Sequence, residues 1–318
     1  MEMKAVRFGE TLVPAKEFLA EGHSFCVGCG EALAIRLALK ALGENVILAM
    51  ATGCDEVTTT PLPYTSWRVP WMHTLFENTA AEISGIEAGL KILAKKGKMP
   101  ERDIVCVAMG GDGATSDIGL QALSGAFERG HNFLYICLDN EAYMNTGIQR
   151  SSATPYGAST TTAPAGKLSI GQITQKKDML AIAAAHNIPY AATACPSYRF
   201  DLMKKVRKGA EVKGPAYVHI LAPCPTGWRH SGDLAIEIGQ LAVQTGIFPL
   251  YEIEYGRYRL NADPPRLKPI EEYLKLQGRY RHLAGAQIET IQEMVNQNYA
   301  ELKKKAACFP SGAEVSER

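Results

Sequence analysis

The sequence predicts an α/β fold, a parallel sheet with helices on both faces followed by a C-terminal helical extension, and three observations predict it. An apolar run, Ile104 to Met109, stops abruptly at Gly110-Gly111-Asp112-Gly113. Apolar residues at helical spacing follow at Ile118, Leu120, Leu123, Ala126 and Phe127, and a second apolar run, Phe133 to Leu138, ends at Asp139-Asn140. Further strand and helix patterns alternate on both sides of this unit. A βαβ unit with polar groups at the carboxyl ends of both strands sets them on the edge where open parallel sheets bind ligands.

The elements follow in order. The opening MEMKAVRFGETLVPAKEF has no apolar signal core, and no uncharged apolar run reaches membrane-spanning length, so a cytoplasmic enzyme is the expectation. A formal net charge of +1 over 318 residues argues against nucleic acid or an anionic membrane as partner. Cys26-Val-Gly-Cys29-Gly leads into a helix pattern from Glu31 to Leu42, and the strand Val46 to Ala51 leaves at Thr52-Gly53-Cys54. Pro61, Pro63 and Pro70, interleaved with Tyr64, Trp67 and Trp71, predict a long irregular loop. In that loop His73 and Glu77 either face a cofactor or make ordinary loop hydrogen bonds. A helix with small residues begins near Asn78.

Beyond the central unit, 150–174 is rich in Ser, Thr, Gly and Pro without periodicity, and reads as a wrap around a partner or a cofactor mouth, or as a plain surface loop. Alternation resumes with helix Asp178 to His186, strand Tyr190 to Thr193, helix Tyr198 to Lys208 and strand Ala216 to Leu221, which exits at Cys224. After Gly232 the texture changes to a helix over Leu234 to Val243, a short strand region in PLYEIEYGRYRL and a charged helical tail from Ile270 to Lys305. The expected organisation is a ligand-binding α/β domain over 1–232 and a C-terminal extension and arm over 233–318.

The chemistry follows from the residue types at the strand exits. Gly111 and Gly113 let the backbone approach a bulky anion, and the helix N-terminus beyond offers free N–H groups to a diphosphate. Asp112 is a hard oxygen ligand, and 28 positions later Asn140 ends the neighbouring strand, where its side-chain carbonyl, with the backbone carbonyl of Ala142, could complete a Mg²⁺ site. Asn145 and Thr146 continue from that loop and should lie beside the same ligand. The bland alternative is a tight turn and a strand-end Asn. Cys26, Cys29, Cys54 and Cys224 gather at one rim and could hold a [4Fe–4S] cluster or a zinc ion. One knuckle plus two isolated cysteines leans toward the cluster, whereas Cys106 and Cys137 lie in apolar strands and read as core. Cys195 and Cys308 have no evident role.

Gly-Asp-Gly followed by 26 residues and Asn resembles the thiamine diphosphate signature. Together with CVGCG, ATGC, PWMHTLFENTAA, GGDGATSDIGLQALSGAFERGH, DNEAYMNTGIQRSSATPYGA and APCPTGWRH, it makes nearly the whole chain similar to the β subunits of the pyruvate:ferredoxin oxidoreductase family. That resemblance implies a thiamine diphosphate-binding fold of the pyrophosphate-binding type. It further implies Mg²⁺ on Asp112, Asn140 and Ala142, cofactor contacts from Gly53, Cys54, Gly111, Gly113 and Thr146, Asn145 at the reacting carbon, and a proximal [4Fe–4S] cluster on Cys26, Cys29, Cys54 and Cys224.

The implied reaction is oxidative decarboxylation of a 2-oxo acid, with electrons leaving singly and coenzyme A taking the acyl group. Pyruvate is the first expectation; oxalate, 2-oxoglutarate, branched-chain and aryl 2-oxo acids are the alternatives. No two-cluster ferredoxin motif is present, nor a second α/β half. An α subunit completing the pyrimidine and substrate site, γ/δ subunits with a ferredoxin-like module, and ferredoxin itself are therefore the expected partners. The readings from other classes are a non-redox thiamine lyase with structural zinc, and a non-catalytic scaffold.

Overall fold

A computed structural model describes residues 13–61, 63–99 and 103–308. The N-terminal reading rests largely on 1–12, which lie outside them. One eight-stranded sheet in the order β10-β9-β7-β8-β4-β3-β1-β2 organises the chain. Its strands are β1 (Val46–Ala51), β2 (Trp71–Thr74), β3 (Val105–Gly111), β4 (Leu134–Asp139), β7 (Tyr190–Ala194), β8 (Ala216–Leu221), β9 (Tyr251–Glu254) and β10 (Arg257–Leu260); β5 (Ala165–Gly166) and β6 (Ser169–Ile170) form a separate small hairpin. The six strands from β2 to β7 in that order are parallel, as expected, but β9 and β10 join antiparallel at one edge, so the sheet is mixed.

Period-two alternation divides the core between the two faces. Leu48, Met50, Val107, Met109, Ile136 and Leu138 face α1 (Gly30–Leu42) and α6 (Arg199–Glu211). Ala49, Cys106, Ala108, Tyr135 and Cys137 face α3 (Thr79–Lys95), α4 (Leu120–Glu128) and α5 (Met179–Ala185). Cys106 and Cys137 are thus buried core residues, as their apolar strands suggested.

Three details differ from the sequence reading. The Pro- and Trp-rich loop contains a true element, β2, which pairs parallel with β1 in the register Leu48↔Trp71 to Ala51↔Thr74; the prolines all precede the strand instead of interrupting it. The helix after Gly113 opens as a wide π-type turn over Ala114–Ile118 before α4 begins, a form common where a helix end serves a site. The tail is broken into α9 (Ile270–Leu274), a short turn at Gly278–Tyr280 and α10 (Gly285–Ala307).

The sheet also continues past position 232, because the β9–β10 hairpin belongs to it. With α8 (Ala235–Gln244), α9 and α10, the C-terminal stretch buries Ile238, Leu241, Tyr273, Ile291 and Val295 in a third apolar cluster that includes Leu221, Cys224 and Trp228. No helix among the described residues is long and apolar enough to cross a membrane.

Candidate functional site

The register brings the strand exits together. β3 and β4 pair Gly111 with Leu138, and β4 and β8 pair Asp139 with Leu221, so the Asp112 turn, the Asn140 loop and the Cys224 turn leave the sheet side by side. A cavity of about 270 Å³ opens there. Gly53, Cys54, Gly111, Asp112, Gly113, Asn140, Ala142, Asn145 and Thr146, all singled out from sequence, line it together with Glu31, Thr52, Asp55, Phe76, Tyr143 and Met144, which were not.

The glycine turn is braced by the loop it faces. A Cβ on Gly113 would lie 2.2 Å from a ring carbon of Tyr143, so only glycine fits under that ring. The Tyr143 hydroxyl donates to Asp117 at 2.9 Å, and the backbone N–H of Ser152 donates to the same carboxylate oxygen at 3.0 Å. Asp112 is buried; one oxygen accepts from Ser151 Oγ at 2.5 Å, and the other has no hydrogen-bond partner. Asn140 donates from Nδ2 to Glu31 at 2.5 Å, its Oδ1 accepts from the Ala142 N–H at 3.3 Å, and its backbone carbonyl accepts from Trp228 Nε1 at 2.8 Å.

Glu31 and Asp55 each also keep one buried carboxylate oxygen without a partner. Unpaired buried carboxylates are costly, and their proton affinities rise accordingly. Burial and then the Asp55 charge push Glu31 well up. Burial takes Asp55 up to about 7, and burial followed by the Asp139 charge raises Asp112. Asp139 goes the other way: burial alone would raise it, but Lys176 and His219, both against its carboxylate, hold it far below the ordinary range. The cavity is therefore acidic and short of cations on the Asp112 side.

Of the four thiols, Cys54 lines this cavity, and Cys26 and Cys29 line a second one. Cys29 caps α1 and its N–H donates to the Cys26 carbonyl at 3.1 Å; Cys54 starts α2 (Cys54–Val57); Cys224 caps α7 (Pro225–Trp228), its sulfur accepting from the Gly227 N–H at 3.3 Å. The Gly30 N–H donates to the Pro223 carbonyl at 3.0 Å and Thr226 Oγ1 reaches Cys26 Sγ at 3.5 Å, tying the two cysteine-bearing loops together. Gly28 has φ 79°, and a Cβ there would sit 2.2 Å from the Gly232 carbonyl oxygen.

Burial, reinforced by Glu31, pushes Cys29 up to about 12 and Cys54 higher; burial likewise takes Cys224 up to about 11. Cys224 lies in the field of Cys26, and it acts in turn on Cys29 and Cys54. Among the described residues no three His, Cys, Asp or Glu side chains already stand at metal-enclosing spacing, so the thiols do not form a closed cage.

The loop 150–176 lies across this chain's own Asp112 turn and Asn140–Ala142 loop. Besides Ser151 on Asp112, Thr154 Oγ1 donates to the Glu141 carbonyl at 2.7 Å, and Lys176 pairs with Asp139 and Glu141. His73 does not line the cavity; it bonds Thr52 Oγ1, which does, at 2.7 Å. Phe76, next to Glu77, supplies the apolar wall. Ser151 was invisible in sequence because it sits in an aperiodic loop, and Glu31 because an acidic residue in a first helical turn reads as a dipole-complementing surface group.

Residues 51–220 match the family model described as thiamine pyrophosphate enzyme, C-terminal TPP binding domain. The chain is 57% identical over 285 residues to pyruvate synthase subunit PorB of Methanocaldococcus jannaschii, covering 89% of this chain and 96% of that protein. It is 50% identical over 299 residues to ketoisovalerate oxidoreductase subunit VorB of Pyrococcus abyssi, with 93% and 96% covered. Among solved structures, a 2-oxoglutarate:ferredoxin oxidoreductase from Magnetococcus marinus shares the fold at TM-score 0.57 and 20% identity, over 92% of this chain and 95% of that one. The strand-exit cavity lies within the matched region apart from its Glu31 wall, and these likenesses place the chain in the thiamine pyrophosphate-binding family, among the B subunits of the 2-oxoacid:ferredoxin oxidoreductases.

Proposed function

We propose that this chain is the thiamine- and cluster-bearing subunit of a pyruvate:ferredoxin oxidoreductase, active only with partner subunits and working in the cytoplasm. The observation that carries the reading is the shared rim: an acidic, cation-deficient turn at Asp112 opens into the cavity that Cys54 also lines. The donor set suits the groups proposed. The free oxygen of Asp112, the amide oxygen of Asn140 and the carbonyl of Ala142 are hard ligands for Mg²⁺, and Gly111 and Gly113 leave room for a diphosphate against the helix start. Cys26, Cys29, Cys54 and Cys224 supply four sulfurs for a [4Fe–4S] cluster.

When bound, thiamine diphosphate supplies the nucleophile and electron sink that decarboxylation of a 2-oxo acid needs, and the cluster supplies single-electron acceptance. The chain's own residues do the rest. Asn145, on the cavity wall, can donate a hydrogen bond to the oxygen of the substrate's keto group without changing charge, which suits an oxygen gaining negative charge. Phe76 and Met144 make part of the cavity wall apolar and exclude water from the reacting carbon. Met144 also abuts Gly227, the residue that bonds Cys224, so one side chain spans the space between thiamine cavity and thiol rim.

Pyruvate follows from the likeness to the PorB proteins; the VorB likeness makes a branched-chain 2-oxo acid the second reading. The partners expected are an α subunit completing the pyrimidine site, γ/δ subunits carrying ferredoxin-like clusters, ferredoxin, and coenzyme A. The test is ferredoxin reduction by the intact complex on pyruvate, 2-oxoisovalerate, 2-oxoglutarate and oxalate, with and without coenzyme A. Pyruvate with coenzyme A should give the highest kcat/KM. Coenzyme A-independent oxalate turnover would overturn the substrate, and thiamine-dependent decarboxylation without ferredoxin reduction would overturn the redox reading.

A further inference from the structure

We infer that Arg279, from the C-terminal stretch, is a positioning residue that sets the metal-binding loop by clamping Glu141 in a left-handed backbone conformation. The inference rests on the reading of Asn140 and Ala142 as metal ligands. Glu141 stands between them with φ 69°, a conformation in which Cβ crowds the following carbonyl and which non-glycine residues adopt only when their surroundings hold them there.

Every polar group of Glu141 is held. Its N–H donates to Asp139 Oδ1 at 2.9 Å and its carbonyl accepts from Thr154 Oγ1 at 2.7 Å. One carboxylate oxygen pairs with Lys176 at 2.8 Å, the other with Arg279 at 2.6 Å. Lys176 is shared with Asp139, so Arg279 is the cation that Glu141 has to itself in this network.

Arg279 is itself fixed. It is buried, donates from Nε to Gln277 at 2.9 Å, and lies with its guanidinium carbon 4.0 Å over the ring of Trp228. Trp228 donates to the carbonyl of Asn140 and ends α7, the short helix capped by Cys224. A planar, permanently charged fork that pairs with a carboxylate and stacks on an indole does two jobs that lysine cannot do together. Arg279 thus grips the metal loop at Glu141, and its stack on Trp228 holds the guanidinium in place for that grip. Outer partners of this kind commonly alter metal affinity by about 10- to 100-fold when removed.

The test is a double-mutant cycle in the intact complex with Arg279→Gln, Glu141→Gly and the pair. The readouts are Mn²⁺ affinity by electron paramagnetic resonance in the presence of thiamine diphosphate, iron content, and the thermal midpoint. Arg279→Gln should weaken Mn²⁺ binding by at least about tenfold with iron content unchanged. In the Glu141→Gly background, where glycine takes φ above zero without a clamp, Arg279→Gln should change Mn²⁺ affinity less than about twofold.

Wild-type affinity in Arg279→Gln, or an equal loss in both backgrounds, would overturn the inference. If Arg279→Gln alone does not assemble, Glu141→Gly and the double variant still decide the matter, because they must bind Mn²⁺ alike. Failure of the wild-type complex to bind Mn²⁺ with thiamine diphosphate would instead overturn the metal-site reading beneath it.

Discussion

Ligand binding should reverse the order of stability of the native chain and an Asp112→Asn variant. Asp112 is buried, has one oxygen with no partner, and lies in the field of Asp139, with Glu31 and Asp55 carrying the same defect around one cavity. A buried polar atom left unpaired costs about 1–3 kcal/mol, and an amide keeps the Ser151 hydrogen bond while removing a like charge. The ligand-free variant should be about 1–2 kcal/mol more stable than the native chain, a rise on the order of 2–4 °C in midpoint.

With Mg²⁺ and thiamine diphosphate at about 100 times their dissociation constants, the native chain gains about 2.7 kcal/mol by mass action. The variant, lacking the anionic ligand of the proposed Mg²⁺ site, gains almost none, so the native chain finishes about 1 kcal/mol ahead. Differential scanning fluorimetry of the full chain, with the two ligands withheld and then supplied, measures both arms. A variant that is less stable without ligands, or that is stabilised by them as fully as the native chain, would refute the argument that Asp112 is held ready for a cation.

Three further outcomes follow from the packing. Gly113→Ala places a methyl 2.2 Å from the Tyr143 ring; it should cost about 1–3 kcal/mol in urea unfolding and lower bound thiamine diphosphate, and an unchanged midpoint would contradict the close approach. Gly28→Ala meets both a left-handed φ and the Gly232 carbonyl, so the purified complex should lose iron while retaining thiamine diphosphate, read by iron assay and visible absorption. Glu252 is pulled down to about 2 from its ordinary 4.5: burial alone would raise it, but Lys208 and hydrogen bonds from Tyr190, Asn261 and Arg259 more than reverse that. A depressed carboxylate adds stability above its unfolded pKa and loses it as pH falls toward its folded one, so Glu252→Gln should be about 3 kcal/mol less stable at most near pH 7 and show a flatter loss between about pH 4.5 and 2.

Much of the site was legible because its chemistry sits at strand exits. The apolar runs at Val46, Val105, Leu134 and Ala216 announce strands, and each is followed at once by the residue that matters: Cys54, Asp112, Asn140 or Cys224. The parallel register then brings those exits to one edge. What sequence could not give are groups that reach the edge by tertiary contact. Ser151 and Lys176 arrive from an aperiodic loop, and Arg279 from a tail that reads only as charged.

Glu31 was hidden by its setting, since nothing in a first helical turn announces that its carboxylate will be buried against Asn140. The edge strand β2 was missed because prolines at 61, 63 and 70 outweighed four residues of extended chain. The antiparallel hairpin was expected as strands but not as part of the main sheet, because attachment depends on the β7–β9 pairing and not on local pattern.

Both margins of the sheet are blunted, by different means. At one end β10 presents Arg257 and Arg259 along a four-residue strand; at the other β2 is equally short and follows Pro70. Short, charged or proline-bordered margins resist recruitment of another chain's backbone. A neighbouring chain is therefore not expected to prolong this sheet at either margin.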